Sequence, residues 1–165
     1  LLIKKRHRLS SKDLKDLIEE VRKIGPDFSG QVDVKKGVEL VEDEDGLRIY
    51  LQDGKPILID AGGRILPSLA APQAAAILPR VTVDMGAVPF VVKGADVMAP
   101  GIRTISEGTR VGDLVLVVDE KHSKGLAIGV LLMEREEVLK SRKGKAVKNM
   151  HHVGDDIWGL TQSVR

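Results

Sequence analysis

Cysteine is absent from all 165 residues, which removes disulfides, thiolate metal sites and cysteine nucleophiles together. Aromatics are nearly absent as well: Trp158, Tyr50, Phe28 and Phe90 make up 2% of the chain. A core must therefore come from Val, Ile, Leu and Ala. The same scarcity counts against rows of stacked aromatics, the device of the commonest single-strand RNA modules. No apolar run approaches the length of a membrane span and no signal-peptide pattern opens the chain, so no membrane association and a cytoplasmic location are expected. The chain opens on Leu1 rather than Met, so a few upstream residues are expected. One asparagine, four glutamines and 30% charged residues resemble the composition of a thermophile's protein.

What is present is a chain 42% hydrophobic, long enough for one domain or two small ones. Net charge is only +2, but its distribution is uneven. Residues 4–8 read KKRHR and residues 140–148 read KSRKGKAVK, whereas 42–45 read EDED. Basic runs are ordinarily solvated surface; two runs meeting on one face would favour a polyanion.

Residues 10–25, SSKDLKDLIEEVRKIG, predict a helix. Ser10 caps it, Asp13 stands at capping-box spacing, and Leu14, Leu17, Ile18, Val21 and Ile24 form one apolar stripe. Gly25 and Pro26 stop it. Strands are predicted at 32–34, 38–41, 47–51 and 56–60, the last three forming an antiparallel meander turned by EDEDG and QDG. An Ala-rich piece between Pro67 and Pro79, with a short helix after Pro72, marks a domain boundary near residue 76. Beyond it, RVTVD, VGDLVLVVDE and GLAIGVLLME predict strands, with KHSKG a turn and AVKNMHHVGDDIW a last strand pair, or strand and loop.

The stretch GAVPFVVKGADVMAPGI, residues 86–102, is almost all glycine and small apolar residues. Gly86 and Ala87 let the chain leave a strand sharply, VPFVVKGA forms a short helix with Pro89 in its first turn, and Gly94 stops it. Pro100 and Gly101 then make a turn. Small residues beside glycines leave backbone N–H groups open to phosphate or ribose. Tight turns in a small β-barrel explain the same glycines without a ligand.

VDMGAVPFVVKGADVMAPGI, followed by GDLVLVVDE and GLAIGVLLME, closely resembles the PUA domain, the module named after pseudouridine synthases and archaeosine transglycosylases. The N-terminal half resembles the pre-PUA half of archaeal relatives of the malignant T-cell amplified sequence translation factors. The resemblance implies an α+β protein: a small pre-PUA domain over 1–76, then a PUA β-pseudobarrel with a short helix over 77–165. It also implies an RNA face around the first short helix, the strand after it and the domain's last strand. On this chain those positions are Gly86, Ala87, Lys93 and Gly94, then Ala95, Asp96, Met98, Gly101 and Arg103, then Lys145, Lys148 and Asn149. Val88, Phe90, Val91 and Val92 are assigned mostly to the core.

No motif argues for catalysis, and no cofactor or metal is expected. His151 and His152 are adjacent and point to opposite faces of a strand, and no histidine pair stands at zinc spacing. The serines lack a nucleophile-elbow context, and Asp113 reads as a turn carboxylate. The expected function is non-catalytic binding of structured RNA, tRNA or small-subunit rRNA, within translation. Phosphate contacts are expected from Lys4, Lys5, Arg6, Arg8, Lys143, Lys145 and Lys148, on one surface that includes the Gly86 turn and excludes EDED. Two other readings stand beside it. One is an adaptor for an initiation-factor-like protein, carried by ILPSLAAP if exposed; the other is an accessory module for a separate RNA-modification enzyme.

Overall fold

The computed structural model describes residues 2–25 and 27–164, with the backbone alone at Ala74. The chain divides into two compact units, Leu1–Ile77 together with Asp156–Arg165, and Leu78–Asp155. The segment from Asp156 onward, placed by the sequence in the second domain, thus groups with the first.

In the first unit, β1 (Ile3–Arg8), β2 (Glu39–Asp43), β3 (Arg48–Gln52), β4 (Lys55–Ala61) and β5 (Arg64–Pro67) pair antiparallel in that order. The helix α1 (Ser11–Arg22) starts as its cap dictates, with the Asp13 N–H donating to Ser10 Oγ at 3.1 Å. It ends three residues before Gly25, and the Pro26 stop lies outside the described residues. Leu14, Leu17 and Val21 bury its apolar stripe against Leu40, Tyr50, Leu58 and Ile65, each side chain contributing about 1.5–3 kcal/mol of transfer free energy. Strand alternation sends Val41, Ile49, Leu51 and Ile59 to the opposite face, where they are buried too.

The strand expected at 32–34 is absent. The Gln52 carboxamide takes the place of a strand partner there: Gln52 Oε1 accepts from the Asp33 N–H, and Nε2 donates to the carbonyls of Asp33 and Gly37. Gly37, at φ +74°, completes the turn. Conversely, KKRHR and RILP are strands that the sequence did not announce, because unbroken charge hides alternation in one and brevity hides it in the other. The ILPSLAAP segment is buried from Ile65 through Ala70, and the short helix α2 (Pro72–Ala75) follows.

The second unit contains β6 (Arg80–Val83), α3 (Val88–Val91), β7 (Val97–Met98), a 3-10 turn (Ala99–Gly101) and β8 (Ile102–Ile105). Then come β9 (Leu114–Asp119), β10 (Gly125–Leu131), α4 (Arg135–Ser141) and β11 (Lys145–His152). Its sheet runs β7-β11-β10-β9-β6-β8, antiparallel except for β6 with β9. The two edge strands, β7 and β8, are joined by the 3-10 turn alone, so the sheet curls closed into a pseudobarrel. Val81, Val83, Val91, Val97, Ile102, Val115, Val117 and Leu131 fill it, a core of small aliphatics as the composition requires. The unannounced α4 turns Val138 inward, and after it Arg142 donates to the carbonyls of Pro100 and Ile102, tying down the 3-10 turn. The chain ends its fold in α5 (Asp156–Ser163), which contacts β3 of the first unit where a strand or loop was expected.

Candidate nucleic-acid interface

The glycine-rich stretch builds one end of the pseudobarrel. After β6 the chain turns at Asp84, whose carboxylate Oδ1 accepts the Ala87 N–H at 2.9 Å and so starts α3. The Asp84 N–H donates to the Gly101 carbonyl at 2.9 Å, pinning both loops together. A Cβ at Gly101 would stand 3.1 Å from the Ala87 methyl, a tight contact that the two loops would have to relieve by a few tenths of an ångström. The helix closes at Gly94, φ +94°, a left-handed position where a Cβ would also lie 3.1 Å from His152 Nε2. Between α3 and the 3-10 turn lies an open groove of about 310 Å³, walled by Gly86, Ala87, Phe90, Met98, Pro100 and Gly101, with Asp84 and Asp96 also lining it.

Two large apolar side chains stand free at this groove: Phe90 is 66% exposed and Met98 48%. Phe90 corrects the sequence assignment to the core. A four-residue helix turns only one side chain fully inward, and that residue is Val91, 2% exposed; Val88 and Val92 pack partly against the same core.

β11 supplies the groove's flank, and here the side chains divide by role. Lys145 stands opposite Met98, and its ammonium lies 3.0 Å from Asp96 Oδ2. Asp96 Oδ1 accepts the Asn149 N–H at 2.8 Å. This backbone hydrogen bond, with Lys145 and Lys148 nearby, holds the Asp96 carboxyl below its ordinary value against the opposing effect of burial. Asn149 donates its side-chain amide to the carbonyls of Val91 and Ala95, both at 3.0 Å. It therefore fastens the end of α3 to β11 and acts as a positioning residue. Lys93, Lys143 and Lys148 are exposed, and among the described residues no ion pair engages them.

The remaining expected contacts fall elsewhere. Arg103, on β8, pairs with Glu120 at 3.1 Å. Lys4, Lys5, Arg6 and Arg8 lie on β1 of the first unit. Their setting departs from the expectation that EDED stays clear of basic surface: β2 carries the start of that acidic run and is the partner strand of β1, with Ile3 opposite Asp43 and Lys5 opposite Glu42. Opposite charges facing across a ladder are favourable, so the register brings the two runs together. The expected open N–H at Ala87 is also corrected, because Asp84 already accepts from it. Asp84 and Phe90 are what the sequence reading missed; an Asp three residues before Ala87, the residue that leads into α3, was the available signal for the first.

His151 is fully buried, its Nδ1 2.9 Å from Asp155 Oδ2, while His152 is half-buried with Nδ1 at 2.9 Å from the Val153 carbonyl. The expected opposite orientation of the pair is thus seen. Asp155 is a turn-forming carboxylate, accepting also from the His152 N–H. Asp113 accepts from the Arg110 N–H, as a turn carboxylate should. Among the described residues, no three His, Asp or Glu side chains converge as a metal ion would need, and no helix is long and apolar enough to cross a membrane.

Residues 79–153 match the PUA domain family, and residues 5–72 match a domain of unknown function, DUF1947. An uncharacterized protein of Methanocaldococcus jannaschii is 39% identical, over 96% of this chain and 98% of its own. Translation machinery-associated protein 20 of Saccharomyces cerevisiae is 31% identical, over 88% of this chain and 84% of its own. The chain belongs to the PUA-domain family of translation machinery-associated protein 20 and the malignant T-cell-amplified sequence proteins. The crystal structure of a hypothetical protein from Pyrococcus horikoshii superposes with a TM-score of 0.78 at 37% identity, covering 95% of this chain and 99% of the other. Within this family frame the pseudobarrel is the PUA domain, and the groove beside α3 belongs to it.

Proposed function

We propose that the protein is a non-catalytic RNA-binding component of the cytoplasmic translation machinery and that the α3–β7–β11 groove is its RNA face. The observation that carries this is the pairing of exposed Phe90 and Met98 at the groove with Lys93 and Lys148 on the flanking elements. In a chain this poor in aromatics, an exposed phenyl ring is a platform on which an unstacked base gains about 1–3 kcal/mol. Lysines without ion pairs add phosphate attraction, which carries no sequence preference. Asp84 and Asp96 repel phosphate from the groove itself, so a base occupies the groove and the backbone runs past Lys93, Lys143 and Lys148. Lys145 joins them only by exchanging Asp96 for a phosphate oxygen. The substrate class is structured RNA with an unstacked segment, of which tRNA and small-subunit rRNA are the candidates in a translation setting. Burial of Ile65 through Ala70 leaves the adaptor reading only Ala71 and Pro72 of that segment as accessible apolar surface.

Filter binding of a tRNA transcript across a salt series tests the proposal. Affinity that falls linearly with log salt and exceeds that for a neutral polymer supports it. A flat salt dependence, or equal binding to both polymers, contradicts it.

A further inference from the structure

The first unit holds a second polar surface that the RNA face does not use. β1 is the outermost strand of its sheet, and all six of its residues are exposed. Its only strand partner among the described residues is β2. Among the described residues, no backbone hydrogen bond outside that ladder reaches residues 3–8. An open strand edge of this kind is a template for another strand.

The charges decide which strand fits. Along β1, Arg6 and Arg8 share one face and Lys5 and His7 share the other, while a register irregularity between Ile3 and Lys5 sets Lys4 at a bulge. The second face meets a groove of about 360 Å³, in which Lys5, His7 and Arg48 stand with Asp13, Asp16 and Glu20 of α1 around apolar Leu17 and Tyr50. On the first face the only carboxylate in ion-pair contact with the cations, among the described residues, is Glu39, 3.2 Å from Arg6. One side of the edge is therefore cationic, and the other is mixed in charge with an apolar floor.

Three occupants can be compared on these terms. A second copy of the chain would lay Lys and Arg against Lys and Arg, which is unfavourable. A nucleic acid presents negative charge on all sides and would meet the α1 carboxylates beside Lys5 and His7. A polypeptide strand with acidic residues at every second position and apolar residues between meets both sides favourably. We infer that β1 is a docking edge for an extended segment of a protein partner that alternates acidic and apolar residues, added as a sixth strand to the sheet. Its acidic side chains face Arg6 and Arg8, its apolar ones face the groove floor, and its backbone pairs with the open edge. The inference does not depend on the RNA reading.

The test uses the full chain and a short blocked peptide alternating glutamate and valine, followed by NMR hydrogen exchange and fluorescence anisotropy. The peptide is expected to slow exchange of β1 amides about tenfold or more. Arg6→Glu with Arg8→Glu is expected to weaken binding at least about tenfold, and the milder Arg6→Gln with Arg8→Gln to weaken it less while leaving the circular dichroism unchanged. A peptide N-methylated at its pairing positions, and a lysine–valine peptide, should not bind. The inference is overturned if the N-methylated peptide binds equally well or the β1 amides are not protected. Protection of β1 by an RNA oligonucleotide in preference to the peptide would overturn it as well. Phe90→Ala should leave peptide binding intact, which separates this edge from the RNA groove.

Discussion

The two basic runs look alike as text and behave differently as surfaces. In residues 4–8, the β1–β2 register sets Lys5 opposite Glu42, Arg6 reaches Glu39, and α1 brings three carboxylates to Lys5 and His7. In residues 140–148, Arg142 is turned onto backbone carbonyls and Lys145 onto Asp96, while Lys143 and Lys148 remain without an ion pair among the described residues. The difference teaches that a run of cations attracts a polyanion only by what its neighbours leave uncompensated. Strand register and helix placement, which lie outside the run, set that remainder.

The comparison breaks most severely at Gly129. On β10 it stands opposite Asn149 beside Lys148, and any Cβ there would run into the Lys148 carbonyl and the Val147 side chain. Gly129→Ala should therefore strain the ladder that carries the second run and destabilise the protein by about 2–3 kcal/mol, read by urea denaturation. Next in size is the direct contrast between the runs. Lys143→Gln with Lys148→Gln should weaken tRNA binding about tenfold and lower the log–log salt slope by about one per lost contact. Lys4→Gln with Arg8→Gln should change both much less, and so should Lys12→Glu with Lys15→Glu on α1.

A smaller effect concerns Asp96. Its carboxyl is held below 3.8, its ordinary value, chiefly by the Asn149 N–H and further by Lys145 and Lys148. The native state thus binds fewer protons than the unfolded chain just below that value, and the stabilisation is complete above it and lost as pH falls through the lower native value. Asp96→Asn keeps an acceptor for the Asn149 N–H but loses the charge, so it should flatten that acid limb of a stability–pH curve and lower neutral stability by the small amount the parent loses in acid. The smallest effect is at Arg6 and Glu39, an exposed pair, where Arg6→Gln should cost under about 1 kcal/mol.

Much of this architecture was legible in the residues themselves. The Ser10 cap and apolar stripe announce α1, the turn residues announce β2 through β4, and the glycines at 86, 94 and 101 announce the loops around α3. What was hidden depends on long-range packing. KKRHR has no alternation to betray a strand, REEVLK lacks a side-chain cap to betray a helix, and the return of α5 to the first unit is a tertiary choice. At the site, the glycine framework and the lysines were readable. The exposure of Phe90 was not, because an apolar four-residue helix gives no periodicity from which to choose the side that faces out.

The most direct test of the RNA face is Phe90→Ala measured against tRNA over a salt series. Phe90 is 66% exposed, so its removal should leave stability within about 0.5 kcal/mol of the parent. RNA affinity should fall about tenfold at every salt concentration with the slope unchanged, the signature of a lost stacking platform rather than a lost phosphate contact. Unchanged affinity, or a loss confined to low salt, would contradict the assignment of the groove as the RNA face.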